Sequence, residues 1–231
     1  MKYIAELAGV EEVALHGTAE LGFWQAQLSR ERLLPIARNG AAQVLITATN
    51  ARYAGVRFRE LSIAVAVRTL EGSERKGYFL AQAFNSSRLF AFAERTLFST
   101  PYDHGAIAVD ARPPASVEMR LRGKVVFSAA MAAGLQRLEG AEPTAVDELW
   151  EGPIFLPNRG RKDRGRGKLF FARIAGRTLN YAFAAEQDRL LAIASAEHPP
   201  LAWLSESGFA GGRWALRSSA EHARSKTYAA E

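Results

Sequence analysis

Two short segments of the sequence carry side chains that could perform acid–base chemistry. In the first, Glu60 lies in a run with a period of two and shares its parity with Ser62, Ala64 and Ala66. Residues of one parity lie on one face of a strand, so this carboxylate has only small side chains beside it. Inside a barrel, that face leaves room for a ligand, with Glu60 as general acid or base and Ser62 and Ala64 against the substrate. The alternation fits equally well a solvated face on which Glu60 is a surface residue.

The second segment begins near the end of a predicted helix and continues into the turn after Pro101. Its polar side chains are Arg95, Tyr102, Asp103 and His104. The planar guanidinium of Arg95 could anchor a carboxylate or an oxyanion, while Tyr102 or His104 could donate a proton or a hydrogen bond. Asp103 is a candidate substrate-binding residue on the same turn. A capped turn with its own hydrogen bonds is the alternative interpretation.

Other kinds of chemistry have little support in the sequence. It contains no cysteine, which excludes disulfides, thiolate metal sites and a thiol nucleophile. The four histidines are far apart in sequence, at His16, His104, His198 and His222. Neither a phosphate-binding loop nor the Gly-x-Ser-x-Gly turn of serine hydrolases occurs in the sequence. We therefore expect neither a metal ion nor a cofactor.

Most of the positive charge lies in one short segment. The chain has 30 basic and 24 acidic residues, a net charge of +6, and residues 159–168 hold six of those cations against one carboxylate, Asp163. The remainder of the chain is nearly neutral. The segment has no aromatic residue that could stack on a base, so a solvated hairpin tip is the favoured interpretation. An anionic ligand or partner is the alternative, and nucleic-acid binding is the least favoured.

Length and composition are those of a single globular domain. The chain has 231 residues, of which 48% are hydrophobic and 23% are charged, enough to bury a core without disulfides. No apolar run approaches the roughly 20 residues that span a bilayer, and acidic residues interrupt the amino-terminal segment too early for a signal peptide. We expect one domain over residues 1–231, located in the cytoplasm and without a membrane partner.

The elements that would position these side chains are mainly strands. Alternation of apolar and polar residues predicts strands at residues 43–49, 61–67, 77–84, 117–121, 125–129, 169–175, 178–183, 189–194 and 213–217. Between the strands at 117–121 and 125–129, Gly123-Lys124 fits the centre of a type II′ hairpin turn. Residues 158–168 join two strand patterns and so predict a long hairpin loop.

Helical signals are few. Asn85-Ser86-Ser87 supplies capping residues before a helix predicted at 88–98. The apolar residues of that helix recur at helical spacing, at Leu89, Phe92, Ala93 and Leu97. A short helix at 200–207 and a single turn at 29–34 are also predicted. Together these signals predict a mainly β fold, an antiparallel barrel or sandwich with two or three short helices.

In order and spacing, several motifs resemble the acetoacetate decarboxylase-like superfamily. Val56-Arg57-Phe58-Arg59-Glu60-Leu61 matches the acid-bearing strand of that family, and Lys76-Gly77-Tyr78-Phe79 matches the Gly-Tyr strand that follows it. Asn85-Ser86-Ser87 matches the start of the family's helix. Ala93-Glu94-Arg95-Thr96 stands where that helix ends in Gly-Arg-Glu, and Thr100-Pro101-Tyr102-Asp103-His104-Gly105 stands at the Pro-Lys turn.

The resemblance extends from about residue 55 to residue 130 and departs from the family at residues that carry its chemistry. The decarboxylase uses a lysine in the Pro-Lys turn to form a Schiff base with a keto acid, whereas Tyr102 and Asp103 stand there in this chain. Thr96 replaces the glutamate of the Gly-Arg-Glu motif, and no arginine matches the family's early substrate-facing one. The Pro-Tyr-x-His turn and residues 214–228 are more similar to an uncharacterised branch that lacks the lysine.

The resemblance implies a fold and a site, but it does not imply decarboxylation. The fold would be a cone-shaped antiparallel β-barrel with a few short helices, assembled as a homo-oligomer. Glu60, Arg95 and the turn 102–104 would surround one cavity. The favoured function is an enzyme, of the lyase, hydratase or isomerase kind, that acts on a small carboxylate or carbonyl compound without a Schiff base. A non-enzymatic barrel that binds a small molecule is the alternative.

Overall fold

The computed structural model describes residues 2–70, 74–133, 144–158, 167–193 and 197–230. Its helices are α1 (Leu21–Leu28), the 3₁₀ turn Ser29–Glu31, α2 (Arg88–Leu97) and α3 (Pro199–Glu206). Its strands, in chain order, are β1 (Tyr3–Glu20), β2 (Leu33–Pro35), β3 (Ala37–Arg38), β4 (Ala41–Tyr53), β5 (Val56–Thr69), β6 (Lys76–Asn85), β7 (Tyr102–His104), β8 (Ala106–Asp110), β9 (Ser116–Leu121), β10 (Lys124–Ala130), β11 (Thr144–Leu156), β12 (Lys168–Ala182), β13 (Arg189–Ala192), β14 (Ala210–Ser225) and β15 (Tyr228–Ala229). The basic segment 159–168 lies outside the described residues except for Gly167 and Lys168, although the strands on either side of it, β11 and β12, do pair as antiparallel neighbours.

Seven of the strands form a closed ring. Their order is β5-β4-β1-β14-β12-β11-β6, and β6 pairs in turn with β5. Every neighbouring pair in the ring is antiparallel except β6 and β11, which are parallel. Strands β8, β9, β10 and β13 form a separate sheet. The prediction of a mainly antiparallel β fold with a few short helices is therefore confirmed.

The seam between β6 and β11 depends on a glycine. Only two residue pairs register there, Ile154 with Tyr78 and Phe155 with Phe79. A Cβ atom on Gly77 would lie 2.1 Å from the carbonyl oxygen of Pro153, so any larger residue would push the two backbones apart. Gly77 therefore lets the ring close at this point.

The two faces of the ring strands have different roles. On β5, the side chains of Leu61, Ile63, Val65 and Val67 are each 0% exposed and belong to the main apolar core. The small sheet and the helices α1 and α3 contribute Met119, Phe127, Trp24 and Leu201 to that same core. A ring of seven strands is too narrow to hold a sheet and two helices, so this core covers the outside of the ring. The opposite faces of the same strands, including that of Glu60, line its interior.

The hairpin between β9 and β10 differs from the predicted one. Leu121 pairs with Lys124, so the central residues of the turn are Arg122 and Gly123, with φ angles of 49° and 81°. Two central residues with positive φ are the requirement of a type I′ turn, which suits the twist of a hairpin. The type II′ prediction centred on Gly123-Lys124 is therefore wrong by one residue in its register.

The helix predicted at 88–98 is confirmed as α2, but its apolar spacing does not mark its buried face. Leu89, Phe92 and Leu97 are 70%, 57% and 74% exposed, respectively. The side chains that α2 turns toward the ring are Phe90, Ala93 and Glu94, all of which line a cavity, so Ala93 is the one member of the predicted spacing on that face. Ser87 caps the helix by accepting a hydrogen bond from the Phe90 backbone nitrogen.

Several element boundaries differ from the predicted ones. The segments 169–175 and 178–183 form one strand, β12, whose register with β14 shifts between Ala175 and Leu179. The turn predicted at 29–34 is shorter, and the helix α1 before it was not predicted. The strand β1 was not predicted either, and of β11 only the end that precedes the predicted loop was recognised as a strand pattern. Across the described ranges, no helix combines the length and the apolar character needed to cross a membrane.

Candidate functional site

A cavity of about 370 Å³ lies at one end of the ring. Strands β1, β4, β5, β6, β7, β12 and β14 and the helix α2 each contribute to its wall. The lining residues are Ile4, Ala5, Leu7, Tyr53, Phe58, Glu60, Asn85, Phe90, Ala93, Glu94, Phe98, Tyr102, Phe170, Ala172, Arg173, Ile174, His222, Ala223 and Arg224. Most of this surface is apolar, and a small group of charged and hydrogen-bonding side chains interrupts it, as is usual for a small-molecule site.

Glu60 is held in the cavity by a neutral partner. Asn85 Nδ2 donates a hydrogen bond of 2.9 Å to Glu60 Oε1, and Asn85 Oδ1 accepts one of 2.8 Å from the Ser87 backbone nitrogen. The second bond fixes the orientation of the Asn85 amide. Tyr102 lies close enough to Glu60 for the charge of Glu60 to affect its pKa, and the parallel pairing of β7 with β6 places it opposite Ala83, two residues before Asn85.

The surroundings of Glu60 favour its neutral form. Burial, together with the nearby charge of Glu94, raises the pKa of Glu60 to about 7, while the Asn85 hydrogen bond and the charges of Arg224 and His222 oppose that rise. Burial, reinforced by the charge of Glu60, raises the pKa of Tyr102 well above its usual value. Tyr102 is therefore a protonated donor at neutral pH, and Glu60 can both take up and release a proton.

Two arginines bring positive charge to the cavity. Arg224 Nη1 binds the carboxylate of Glu94, and the Arg224 guanidinium lies 4.3 Å from the ring centre of Phe170 and 4.8 Å from that of Phe98. Nε and Nη2 of Arg224 are buried and have no hydrogen-bond partner among the residues that the structure describes. Donors left in this state are satisfied when an anion binds. Arg173 is the second arginine in the lining.

A line of directly opposed polar residues crosses five neighbouring strands and reaches the cavity. This polar row consists of Arg217 on β14, Glu12 on β1, Thr49 on β4, Glu60 on β5 and Asn85 on β6. Directly opposed residues share a face of the sheet, so the whole row lines the interior of the ring. Apart from Glu60, which is partly buried, each member is 7% exposed or less.

Glu12 connects the polar row to the cavity through a histidine. Arg217 binds one oxygen of Glu12 and also contacts Glu148, while His222 Nε2 lies 2.7 Å from the other Glu12 oxygen. Burial alone would raise the pKa of Glu12, but the contacts with His222 and Arg217 outweigh it, so the pKa is lowered. Glu12 is therefore a carboxylate at neutral pH, and His222 stands between it and the cavity.

The fold has clear structural relatives. Acetoacetate decarboxylase from Legionella pneumophila superposes with a TM-score of 0.68, at 11% identity over 98% of this chain and 87% of that one. An acetoacetate decarboxylase-like enzyme from Sphingomonas wittichii RW1 superposes with a TM-score of 0.60, at 14% identity over 98% of this chain and 92% of that one. This chain has the acetoacetate decarboxylase-like fold. The enduracididine biosynthesis enzyme MppR, solved with the condensation product of pyruvate and imidazole 4-carboxaldehyde, shares that fold with a TM-score of 0.61, at 12% identity over 99% and 90%.

No protein-family model matches the sequence, and no curated protein matches it either. The acetoacetate decarboxylase-like fold therefore rests on three-dimensional similarity. At identities of 11% to 14%, that similarity establishes the architecture, while chemistry has to be argued from the side chains of this chain.

Within this acetoacetate decarboxylase-like fold, the residues singled out from the sequence separate into two groups. Glu60 and Tyr102 line the cavity and contact each other. Arg95 and Asp103 form an ion pair of 3.1 Å outside the lining, and His104 is exposed. Gln82 Nε2 donates a hydrogen bond of 3.2 Å to Asp103. His198 Nδ1 lies 3.4 Å from the same carboxylate, so this cluster anchors the turn that carries Tyr102.

The small residues beside Glu60 lie deeper in the ring than expected. Ser62 makes a hydrogen bond of 2.6 Å with Thr47 on the neighbouring strand. Ala64 is 6% exposed and, like Ser62, does not belong to the described lining of the cavity. The space beside Glu60 comes instead from the end of the ring, where the aromatic residues Phe58 and Phe90 form part of the wall.

Five ionisable residues at or beside the cavity were not predicted as site residues, and all of them except Arg173 leave a signal in the sequence. Glu94 stands in the segment compared with Gly-Arg-Glu, two positions before Thr96. His222 and Arg224 alternate on one strand, which places them on one face. Glu12 precedes the apolar run of β1. Among the described residues, no group of three histidine or carboxylate side chains is arranged to hold a metal ion.

Proposed function

We propose that the cavity binds a small carboxylate or carbonyl compound and that Glu60 transfers a proton to or from it, in a lyase, hydratase or isomerase step. The observation that carries this proposal is the partly buried Glu60 carboxyl group, which Asn85 holds, with Tyr102 nearby, in the wall of a cavity of about 370 Å³. A carboxyl group whose pKa lies close to the working pH is suited to general acid–base catalysis.

Recognition of an anion is assigned to the arginines of the lining. Arg224 is already oriented by Glu94 and by two aromatic rings, and its unpartnered Nε and Nη2 can donate to a carboxylate or an oxyanion. Arg173 adds a second positive charge at the wall. The size of the cavity, near the lower end of the range for ligand pockets, favours a small metabolite. Arg95 is not assigned this role because it pairs with Asp103 outside the lining.

A Schiff base is not part of the proposed mechanism. The described lining contains no lysine, and Tyr102 lines the cavity from the turn where the family resemblance would require one. A protonated Tyr102 can stabilise negative charge that develops on a carbonyl oxygen, in the manner of an oxyanion hole. The ligand solved in MppR derives from pyruvate, which supports a small carbonyl acid as the class of compound to test.

The test is binding and turnover of pyruvate and acetoacetate. We expect calorimetry to detect binding of both acids to the parent protein and a loss of about tenfold or more in Arg224→Lys, which keeps the charge but not the planar donor pair. Arg120→Lys, in an exposed pair with Glu118, is the matched control. Absence of binding for both acids would overturn the proposal. A greater loss in Arg95→Lys than in Arg224→Lys would favour Arg95 as the anchor.

The second candidate is a non-enzymatic binding protein, which the largely apolar lining favours. Incubation of the parent protein with a bound acid, followed by mass spectrometry of the released ligand, distinguishes the two functions, because a binding protein returns its ligand unchanged.

We also propose that the protein assembles as a homo-oligomer and is located in the cytoplasm. Light scattering of the purified protein tests the first of them.

A further inference from the structure

The cavity contains a second ionisable residue on a different wall from Glu60. His222 lines it from β14, whereas Glu60 lines it from β5, and the strands β1 and β4 lie between those two in the ring. A ligand in the cavity therefore faces the carboxyl group from one side and the imidazole from another. Reactions that move two protons need such a pair of groups.

The imidazole is held by a buried carboxylate. Nε2 of His222 lies 2.7 Å from Oε2 of Glu12. Glu12 is 1% exposed, and Arg217 binds its other carboxylate oxygen. The two atoms His222 Nε2 and Glu12 Oε2 form a close ion-pair contact rather than an aligned hydrogen bond, since neither has a hydrogen-bond partner among the described residues. A carboxylate this close to one ring nitrogen favours a proton on that nitrogen and stabilises the imidazolium ion. Because Glu12 occupies the Nε2 side, Nδ1 is the nitrogen left for a ligand.

We propose that His222 is a second proton-transfer residue of the cavity, which acts on a ligand oxygen while Glu60 acts on the adjacent carbon, and that Glu12 is its positioning residue. This inference rests on the proposed function, since it takes a small carbonyl acid as the ligand. In a keto–enol step, Glu60 takes the α-proton, the C–H electron pair becomes the C=C bond, and the carbonyl oxygen takes a proton from protonated His222. The product is the neutral enol, and the reverse step returns both protons.

The experiment follows exchange of the methyl protons of pyruvate with D₂O by proton NMR. We expect the parent protein to accelerate exchange above the buffer rate, and both His222→Gln and Glu60→Gln to lose about 100-fold of that rate. His16→Gln is the matched control, because His16 lies in the same interior beside Arg213 but does not line the cavity. Its exchange rate should stay within about twofold of the parent rate.

Two further measurements test the positioning role and remain informative if His222→Gln fails to fold. In the parent protein, nitrogen-15 NMR should show a proton on Nε2 of His222 and a shift at Nδ1, absent from His16, when pyruvate is added. Glu12→Gln should change the Nε2 signal and slow exchange by about tenfold, and Glu12→Asp should restore part of the rate. Thermal denaturation of each variant shows whether it is folded.

The outcomes separate this inference from the function on which it rests. If Glu60→Gln abolishes exchange and His222→Gln leaves it unchanged, His222 has no catalytic role and the proposed function stands. If pyruvate binds and exchanges without any change at Nδ1 of His222, the inference is also wrong. If pyruvate neither binds nor exchanges, both fail together.

Discussion

At the scale of single residues, the cavity depends on charged groups whose partners only partly compensate burial. Asn85 gives Glu60 a hydrogen bond, but Glu60 has no counter-ion of its own, since Arg224 is bound to Glu94. Burial would raise the pKa of Glu12, but its contacts with His222 and Arg217 outweigh burial and lower the pKa. Two glutamates of one polar row thus have pKa values shifted in opposite directions, with that of Glu60 raised and that of Glu12 lowered. This contrast marks Glu60 as the member suited to exchange protons.

The substitution Glu60→Gln should stabilise the protein at alkaline pH. The pKa of Glu60 is about 7 in the folded protein and 4.5 ordinarily, so the folded state binds more protons, and its free energy of unfolding falls as pH rises from about 4.5 to 7. Glutamine keeps the shape of the Glu60 side chain but does not ionise, so this fall in the free energy of unfolding disappears. We expect a gain of order 1–3 kcal/mol at pH 8 and little change at pH 4, measured by chemical denaturation at both values.

The control for this stability experiment is Glu118→Gln, which removes an exposed carboxylate that pairs with Arg120. The free energy of unfolding of this variant should stay within about 0.5 kcal/mol of the parent value at both pH values. A Glu60→Gln protein that is less stable than the parent at pH 8 would show that the carboxylate is well compensated in the fold.

The affinity for a small carboxylate should fall as pH rises above 7. Under the proposed function, a bound anion lies close to Glu60 and further favours its protonated form, so binding takes up a proton wherever free Glu60 is ionised, and only the fraction of Glu60 that stays ionised acts as a base. Below pH 7 Glu60 is already protonated, and the affinity should vary little. Calorimetric titration of pyruvate between pH 6 and pH 9 measures this dependence. In Glu60→Gln the decline should disappear, and a decline that persists would assign it to another group.

At the scale of elements, alternation identified the strands whose two faces differ in character. On β5, the buried residues Leu61 and Ile63 lie on one face and Glu60 lies on the other. Because this alternation is strict, β5 could be predicted. Strand β1 escaped prediction because its register with β14 shifts at four places, and each shift interrupts the alternation. The helix α2 shows that regular apolar spacing can also mislead, because Leu89 and Phe92 recur at helical spacing and yet are exposed.

The substitution Gly77→Ala should weaken the ring at its parallel seam. The new Cβ would meet the Pro153 carbonyl oxygen at 2.1 Å, so β6 and β11 would have to separate, at a cost of roughly 1–3 kcal/mol or more. Gly22→Ala is the control, because its Cβ has no neighbour closer than 3.6 Å and alanine favours the helix α1 by up to about 1 kcal/mol. Thermal denaturation should show the two variants shifting in opposite directions, and equal midpoints would argue against the seam.

At the scale of the whole molecule, the site could be predicted only where its residues are close in sequence. Glu60 and Tyr102 belong to one stretch with recognisable spacing, and both line the cavity. Ile4 and Arg224 meet at the same cavity from opposite ends of the chain. Their proximity follows from the pairing of β1 with β14, which no local pattern encodes. The exposed position of Arg95 has the same cause, because the rotation of α2 is decided by tertiary packing.

Reductive trapping should leave the protein unmodified. The chain has six lysines, and none of the described ones lines the cavity; Lys162 lies outside the described residues. Without a desolvated lysine beside the ligand, no amine is available to form a Schiff base at neutral pH. Incubation with acetoacetate and borohydride should therefore leave the intact mass unchanged. A stoichiometric adduct on any lysine would contradict this expectation and restore the chemistry of the decarboxylase.

A ribosome releases β1 long before β14, and β14 is one of the two ring neighbours of β1. During that interval Glu12 has no Arg217 to neutralise it, and β1 presents an unpaired edge along its 18 residues. Unpaired edges in nascent chains are sites of aggregation and of chaperone binding. Closure must then join segments separated by almost the whole sequence, a topology that folds slowly. The cavity is thus among the last parts of the molecule to form during synthesis.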